Sequence, residues 1–233
     1  NAAFTLRLGE GEGPEALEPR LLACGYRRSD MVEGPGQFSR RGGILDFFSP
    51  AYPQPVRVEF WGDDVDSMGF FDPESQRRTQ PLDACRILPA AETLPPLYPG
   101  GSAALGEKLQ KLAERAAAKK DNDTARKLAE ALRADGEKLC NDCVLPAADR
   151  YMGFVYDAFA TALDYLAPEA AVLIDQPARC AERAKEYTAQ LREDIALLVR
   201  SGTMAARAEN FYELFADMMR RVQAWPIVLA DGL

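Results

Sequence analysis

Between positions 36 and 78, apolar and polar residues alternate too quickly for a helix and predict a run of strands joined by tight turns. Gly43–Phe48 and Pro55–Trp61 read as neighbouring strands around a Ser49-Pro50 and Pro53 connection. In the second run Val56, Val58 and Phe60 point to one side. Arg57, Glu59 and Trp61 point to the other, which places an arginine and an indole together on the face turned away from the core. Gly62-Asp63-Asp64 reads as a turn, Val65–Phe71 as a strand and Asp72-Pro73-Glu74-Ser75 as another turn. Upstream, Phe4–Leu8 alternates as a short strand. A helix begins at Pro14, buries Ala16, Leu17, Leu21 and Leu22, and ends at Gly25. Tyr26–Val32 and Ala84–Leu88 complete the strand set, giving an α+β domain over residues 1–94.

The pattern changes after a Pro/Gly boundary at 95–102, and residues 103–233 read as mostly helical. Leu105, Leu109 and Leu112 recur at helical spacing, then Leu128 and Leu132 after a polar break whose Asp123 is read as an N-cap. Helix is expected over Ala147–Tyr151, Ala181–Val199 and Glu209–Val222, and Phe154–Leu166 carries an apolar stripe. Ala170–Ile174, ending at Asp175, and Ile227–Leu229 are the strand signals of this half. So few strands for so many helices predict part of an α/β domain whose other strands lie elsewhere in a longer parent, an expectation that the initial Asn1 reinforces.

Composition narrows the chemistry. A net charge of −8 argues against a simple basic nucleic-acid-binding domain, although Lys119, Lys120, Arg220 and Arg221 are local exceptions. Every basic residue before Lys108 is an arginine, which suits forked ion pairs and protein interfaces. Five widely spaced cysteines and no histidine disfavour both a disulfide framework and a zinc site at Cys140-Asn-Asp-Cys143, and point to a cytoplasmic protein. No apolar run is long enough to span a membrane. The glycines at 9, 11 and 13 alternate with glutamates and precede no Gly-Lys-Ser/Thr, so they form a turn rather than a phosphate loop. Asp175-Gln176 has the position of a nucleotide-site carboxylate at a strand end but lacks a second acid.

Three stretches carry a resemblance: Gly36–Phe48 (GQFSRRGGILDFF), Val56–Ser67 (VRVEFWGDDVDS) and Phe71–Arg77 (FDPESQR). With Phe211–Phe215 and Trp225-Pro226, they make the chain similar to the bacterial transcription-repair coupling factor (Mfd) family, in the region it shares with the excision-repair protein UvrB. The resemblance implies a UvrB-like interaction domain with a mixed antiparallel sheet at 1–94, followed at 103–233 by the carboxyl-terminal part of a degenerate helicase-like α/β domain. It implies recruitment of UvrA through Arg41, Arg57 and Trp61, the last where the family commonly has Phe, with Arg40 as a neighbouring charge. It implies that Asp175 and Gln176 occupy a broken Walker B position, with no catalysis and no cofactor in this region; ATP and Mg2+ would serve motor domains of the parent. Packing against the rest of the parent would mask the UvrA face, and contacts with RNA polymerase and double-stranded DNA would lie outside this chain. The alternatives are a UvrB-like helicase fragment that binds nucleotide or DNA, and a scaffold whose Arg40, Arg41, Arg77 and Arg78 only form surface ion pairs.

Overall fold

The computed structural model describes residues 2–118, 122–141, 145–158, 160–205 and 212–231. The chain divides into two compact units, Asn1–Ala103 with Lys138–Asp149, and Ala104–Glu137 with Arg150–Leu233.

The first unit is built on a six-stranded sheet of order β2-β3-β4-β5-β6-β7: β2 Arg27–Arg28, β3 Gln37–Arg41, β4 Ile44–Phe47, β5 Val56–Trp61, β6 Asp64–Phe71 and β7 Arg78–Pro81. β2 runs parallel to β3, and every other neighbouring pair is antiparallel. Two-residue connections at Gly42-Gly43 and Gly62-Asp63 close the β3–β4 and β5–β6 hairpins. Gly42 and Gly62 supply the positive φ, +60° and +62°, that these turns need at their first central position. A separate antiparallel ribbon, β1 Phe4–Arg7 with β8 Ala84–Ile87, and helix α1 Pro14–Ala23 contribute to the core on one face of the sheet. One side of the strands meets there, alternate residues in β4 and β5 and, across a register shift in the β5–β6 pair, Val65 and Met68: Phe38, Leu45, Phe47, Val56, Val58, Val65 and Met68 with Leu6, Leu17, Leu21, Tyr26 and Ile87. The expected alternation of Val56 and Val58 inward against Arg57 and Glu59 outward is what β5 adopts. The segment Tyr26–Val32 differs from expectation. The strand is only Arg27–Arg28; the Ser29 amide makes a last bond to Phe38 O at 2.9 Å, and its hydroxyl turns to the carbonyl of Met31.

Polar bonds tie the ribbon to the sheet. Ser49, fully buried after β4, donates its Oγ to Arg86 O at 3.2 Å and accepts from Leu88 N at 3.3 Å. Tyr26 donates its hydroxyl to Leu88 O at 2.8 Å. Burial pushes the Tyr26 phenol up from 10.0 to about 12 and the Cys85 thiol up from 9.0 to about 12.

In the second unit, helix α2 Gly101–Ala117, which starts in the first unit, and helix α3 Asp123–Cys140 approach closely at Gly136, where a Cβ would lie 2.8 Å from the carbonyl of Gly106. Asn122, not Asp123, caps α3, accepting from Ala125 N at 3.0 Å. Ala148–Tyr151 is a 3-10 turn rather than an α-helix. It is held by Arg150 and Tyr151, both donating to the buried Asp135 carboxylate. The stripe at Phe154–Leu166 resolves into a short helix α4, Met152–Val155, and a 3-10 turn at Ala162–Tyr165. Strand β9 Val172–Asp175 leads through Gln176 into the long helix α5 Pro177–Arg200. Helix α6 Phe215–Val222 precedes strand β10 Ile227–Ala230, which pairs parallel with β9. Phe211 and the start of the helix expected from Glu209 lie outside the described residues. Helices around a parallel strand pair resemble a degenerate helicase-like fold.

Ser49→Ala leaves the Arg86 carbonyl and Leu88 amide without this partner, and is expected to cost about 1–3 kcal/mol in urea denaturation. Because the folded-state values of Tyr26 and Cys85 lie above their ordinary ones, their contribution to stability is complete below about pH 9 and is lost as pH rises toward 12. Thermal melts between pH 8 and 11 should show a falling midpoint, with a shallower fall in Tyr26→Phe.

Candidate interaction face

The sheet face opposite the core is organised by one carboxylate. Asp46, on β4 between the inward-facing Leu45 and Phe47, is only 2% exposed although it faces outward. Register places it opposite Ser39 on one side and Arg57 on the other. Arg57 grips it with two parallel bonds, Nε to Oδ1 at 2.7 Å and Nη2 to Oδ2 at 2.8 Å. Arg41 adds Nη2 to Oδ2 at 3.1 Å from the β3–β4 turn. Ser39 is buried beside it and donates its hydroxyl to the carbonyl of Asp30, so the 29–34 loop covers this end of the face.

Arg57 is held from above and below. Its guanidinium carbon sits 4.4 Å from the centroid of Phe71, which packs with Val32 and Phe48 in a small second cluster. Its remaining donors reach Gln76 O at 3.2 Å and Gln76 Oε1 at 2.8 Å. The sequence Asp72-Pro73-Glu74-Ser75 explains why Gln76 is there. Asp72 Oδ1 accepts from Glu74 N and from Ser75 N and Oγ, which folds the turn and leaves Gln76 at φ +61°. Those same bonds, led by the Ser75 amide, hold the Asp72 carboxyl below its usual range. Donating hydrogen bonds to Asp46 raises the Arg57 guanidinium above its ordinary value.

The face therefore does not bring Arg57 and Trp61 together. They share one side of β5, but four residues of strand separate them by about 13 Å, and Arg57 is engaged while Trp61, at the β5–β6 hairpin, is 82% exposed. Between them lies Glu59. Arg78, from β7, lies over Gly69 and reaches Glu59 Oε1 at 3.2 Å and Ser67 Oγ at 3.1 Å. A Cβ at Gly69 would meet the Arg78 stem at 3.2 Å and the Gln80 carbonyl at 2.6 Å, so the glycine clears the path of that arginine. Arg40 points elsewhere, to Glu15 and Glu18 of α1. Asp46 escapes sequence reasoning because its role depends on cross-strand register; for Glu59, read as outward-facing, and Arg78, read only as an ion-pairing arginine, the register supplies the pairing. The signal available is an acid inside an apolar strand beside a strand that carries an arginine.

The strand end in the second unit is differently made. Asp175 is exposed, and Gln176 sits at φ +51° before Pro177 opens α5. The Gln176 side chain accepts from Arg179 at 3.1 Å, and the Cys180 thiol donates to the Asp175 carbonyl at 3.2 Å. These residues line an open concavity of about 930 Å³ with Arg183, Tyr187, Phe215 and Met218. The helix opens on a proline rather than on a glycine-rich loop, and an amide stands where a second acid would be, so this donor set does not fit Mg2+ and nucleotide phosphates. Among the described residues no group of three or more His, Cys, Asp or Glu is placed to hold a metal ion, and no helix is long and apolar enough to cross a membrane. Cys24 and Cys85 are buried cysteines and Cys140 and Cys180 exposed ones, while Cys143, Lys119 and Lys120 lie outside the described residues. Arg221 is committed to Asp164, Glu213 and Thr161, and Arg220 to Asp217.

An outward sheet face with a clamped acid, peripheral arginines and an exposed indole is the face of an interaction module. Residues 4–92 match the UvrB interaction domain family. The chain is homologous to a region of the transcription-repair-coupling factors and carries that interaction domain at its start. It is 30% identical to the factor of Bacillus subtilis, over 98% of this chain and 20% of that protein. It is 33% identical to that of Myxococcus xanthus over 99% of this chain and 19% of the relative, and 33% identical to that of Mycobacterium tuberculosis over 89% and 16%. The chain thus spans about a fifth of the length of these relatives.

Arg57→Ala strands a buried carboxylate with Arg41 alone and is expected to cost about 3–5 kcal/mol in denaturant titration. Arg41→Ala, half-exposed, should cost less than about 1 kcal/mol. Trp61→Ala should stay within about 0.5 kcal/mol of the unaltered chain.

Proposed function

We propose that this chain recruits UvrA, without catalysis of its own, inside an ATP-driven DNA translocase that couples nucleotide excision repair to stalled transcription. The single observation that carries the reading is the exposed Trp61 on the same sheet face as the arginine-clamped Asp46, within the span that matches the UvrB interaction domain. Homology to transcription-repair-coupling factors supports the repair context. An indole without cover supplies apolar area at small entropic cost, and peripheral guanidinium groups supply charge-assisted bonds to partner carboxylates.

The three proposed contacts play different parts. Trp61 is the anchor and Arg41 the peripheral donor, its side chain about half exposed with a single ion pair. Arg57 acts through Asp46, Gln76 and Phe71, keeping the sheet face rigid and Arg41 in place. In the parent protein the same face would be masked by packing against other domains. ATP and Mg2+, RNA polymerase and double-stranded DNA would belong to those domains, in the cytoplasm. In this reading 1–94 would dock UvrA, 95–102 would be a linker and 103–233 the degenerate helicase-like domain, with Asp175 and Gln176 at a vestigial Walker B position.

Calorimetric titration of the chain with purified UvrA tests the reading. Trp61→Ala should weaken binding by 2 kcal/mol or more, about thirtyfold, with an unchanged melt, and Arg41→Glu should weaken it comparably with a lower melt, because the new carboxylate lies beside the buried Asp46. Undiminished affinity in both variants would remove this face from the assignment.

A further inference from the structure

We infer that Arg78 is a further contact residue of this face, and that Glu59 holds it in reserve until a carboxylate of the docking protein takes the place of Glu59 on its guanidinium. The inference rests on the docking reading above and deepens it, since it names a local exchange through which docking proceeds.

Three observations carry it. The first is position: Arg78 leaves β7, crosses Gly69 and ends beside Glu59, which lies on β5 between Arg57 and Trp61. Its charge therefore falls within the strip that the indole and the clamped arginine define.

The second is availability. Arg57 has given its fork to Asp46 and further bonds to Gln76, within a side chain only 16% exposed. Arg78 and Glu59 are 35% and 44% exposed, and their contact is a single 3.2 Å approach rather than a parallel pair. Ion pairs this wet contribute about 0–1 kcal/mol, so replacing Glu59 by another carboxylate costs little. A partner acid that is desolvated against Trp61 would bind the guanidinium more strongly than Glu59 does in water.

The third is preorganisation. Ser67 Oγ donates to Glu59 Oε2 at 2.9 Å and accepts from Arg78 Nη2 at 3.1 Å. When Glu59 turns away, Ser67 still holds the arginine over the sheet, so the donor does not have to be ordered anew. The partner that fits is a protein surface with an acidic side chain next to an apolar recess, the acid for Arg78 and the recess for Trp61.

The test is calorimetry of the chain against purified UvrA with Arg78→Ala, Glu59→Gln, the double variant and Trp61→Ala. Arg78→Ala is expected to weaken binding about tenfold, as for one lost bond to a charged group. Glu59→Gln, which frees the guanidinium, is expected to tighten binding about threefold, a change on the scale of an exposed pair, and the gain should vanish in the double variant. Unchanged affinity in a folded Arg78→Ala, or weaker binding by Glu59→Gln, overturns the inference. Should Arg78→Ala melt early, the Glu59→Gln arm decides alone, because it removes no cation. Binding that depends on Trp61 but ignores Arg78 sinks this inference and leaves the docking reading standing, whereas no binding by the unaltered chain overturns both.

Discussion

A carboxylate sealed from water must be answered by cations, and the outward side of the first unit is arranged around that demand. Asp46 is held in place by strand pairing, with core residues on both sides of it in the chain. Arg57 must therefore extend flat across the sheet, where its guanidinium meets Phe71 and the Gln76 carbonyl. Gln76 accepts that contact only in the conformation that the Asp72 turn gives it. One electrostatic requirement thus propagates from β4 through β5 to the β6–β7 connection. What it yields is a sheet face with few free torsions.

Rigidity here serves recognition. Side chains already fixed before docking lose little entropy when a partner arrives. The arginines divide the labour by burial: Arg57 is consumed in the clamp, Arg41 divides itself between clamp and solvent, and Arg78 sits in a weak pair near the indole. A net charge of −8 makes this arrangement local, since each cation on the face is already set against an acid of the same chain. On the docking reading, binding by acidic surfaces would then proceed by exchange of partners and not by bulk attraction.

The second unit follows a different logic. Among the described residues β9 and β10 pair only with each other, and Leu173, Val228 and Leu229 are exposed on them. Strands of a parallel sheet are ordinarily covered on both faces. At their carboxyl end the amide of Gln176 accepts from Arg179, which closes the position to the water-activating geometry of a hydrolase.

Much of this was legible in the residues. The β4, β5 and β6 strands follow from the period of two that burial on one face imposes, the α1 helix from its Pro14 start and the helical spacing of Leu17 and Leu21, and the two strand signals of the second unit from short apolar runs. Asp46 was not legible, since an acid at an outward position reads as exposed until the register sets Arg57 opposite it. Nor was the engagement of Arg57 by Asp46 and Gln76, which shared parity with Trp61 along the strand leaves open. The 3-10 turn at Ala148–Tyr151 depends on Asp135, one helix back in the chain. Each of these is a tertiary constraint, invisible to local pattern.

Amide hydrogen exchange of the chain with and without saturating UvrA tests the central claim most directly. Slower exchange concentrated in β3–β4, β5–β6 and the segment from Gln76 to Gln80, with β9 and α5 unchanged, is the predicted footprint. Protection confined to β9, α5 or α6, with the sheet face exchanging as freely as before, would contradict the account.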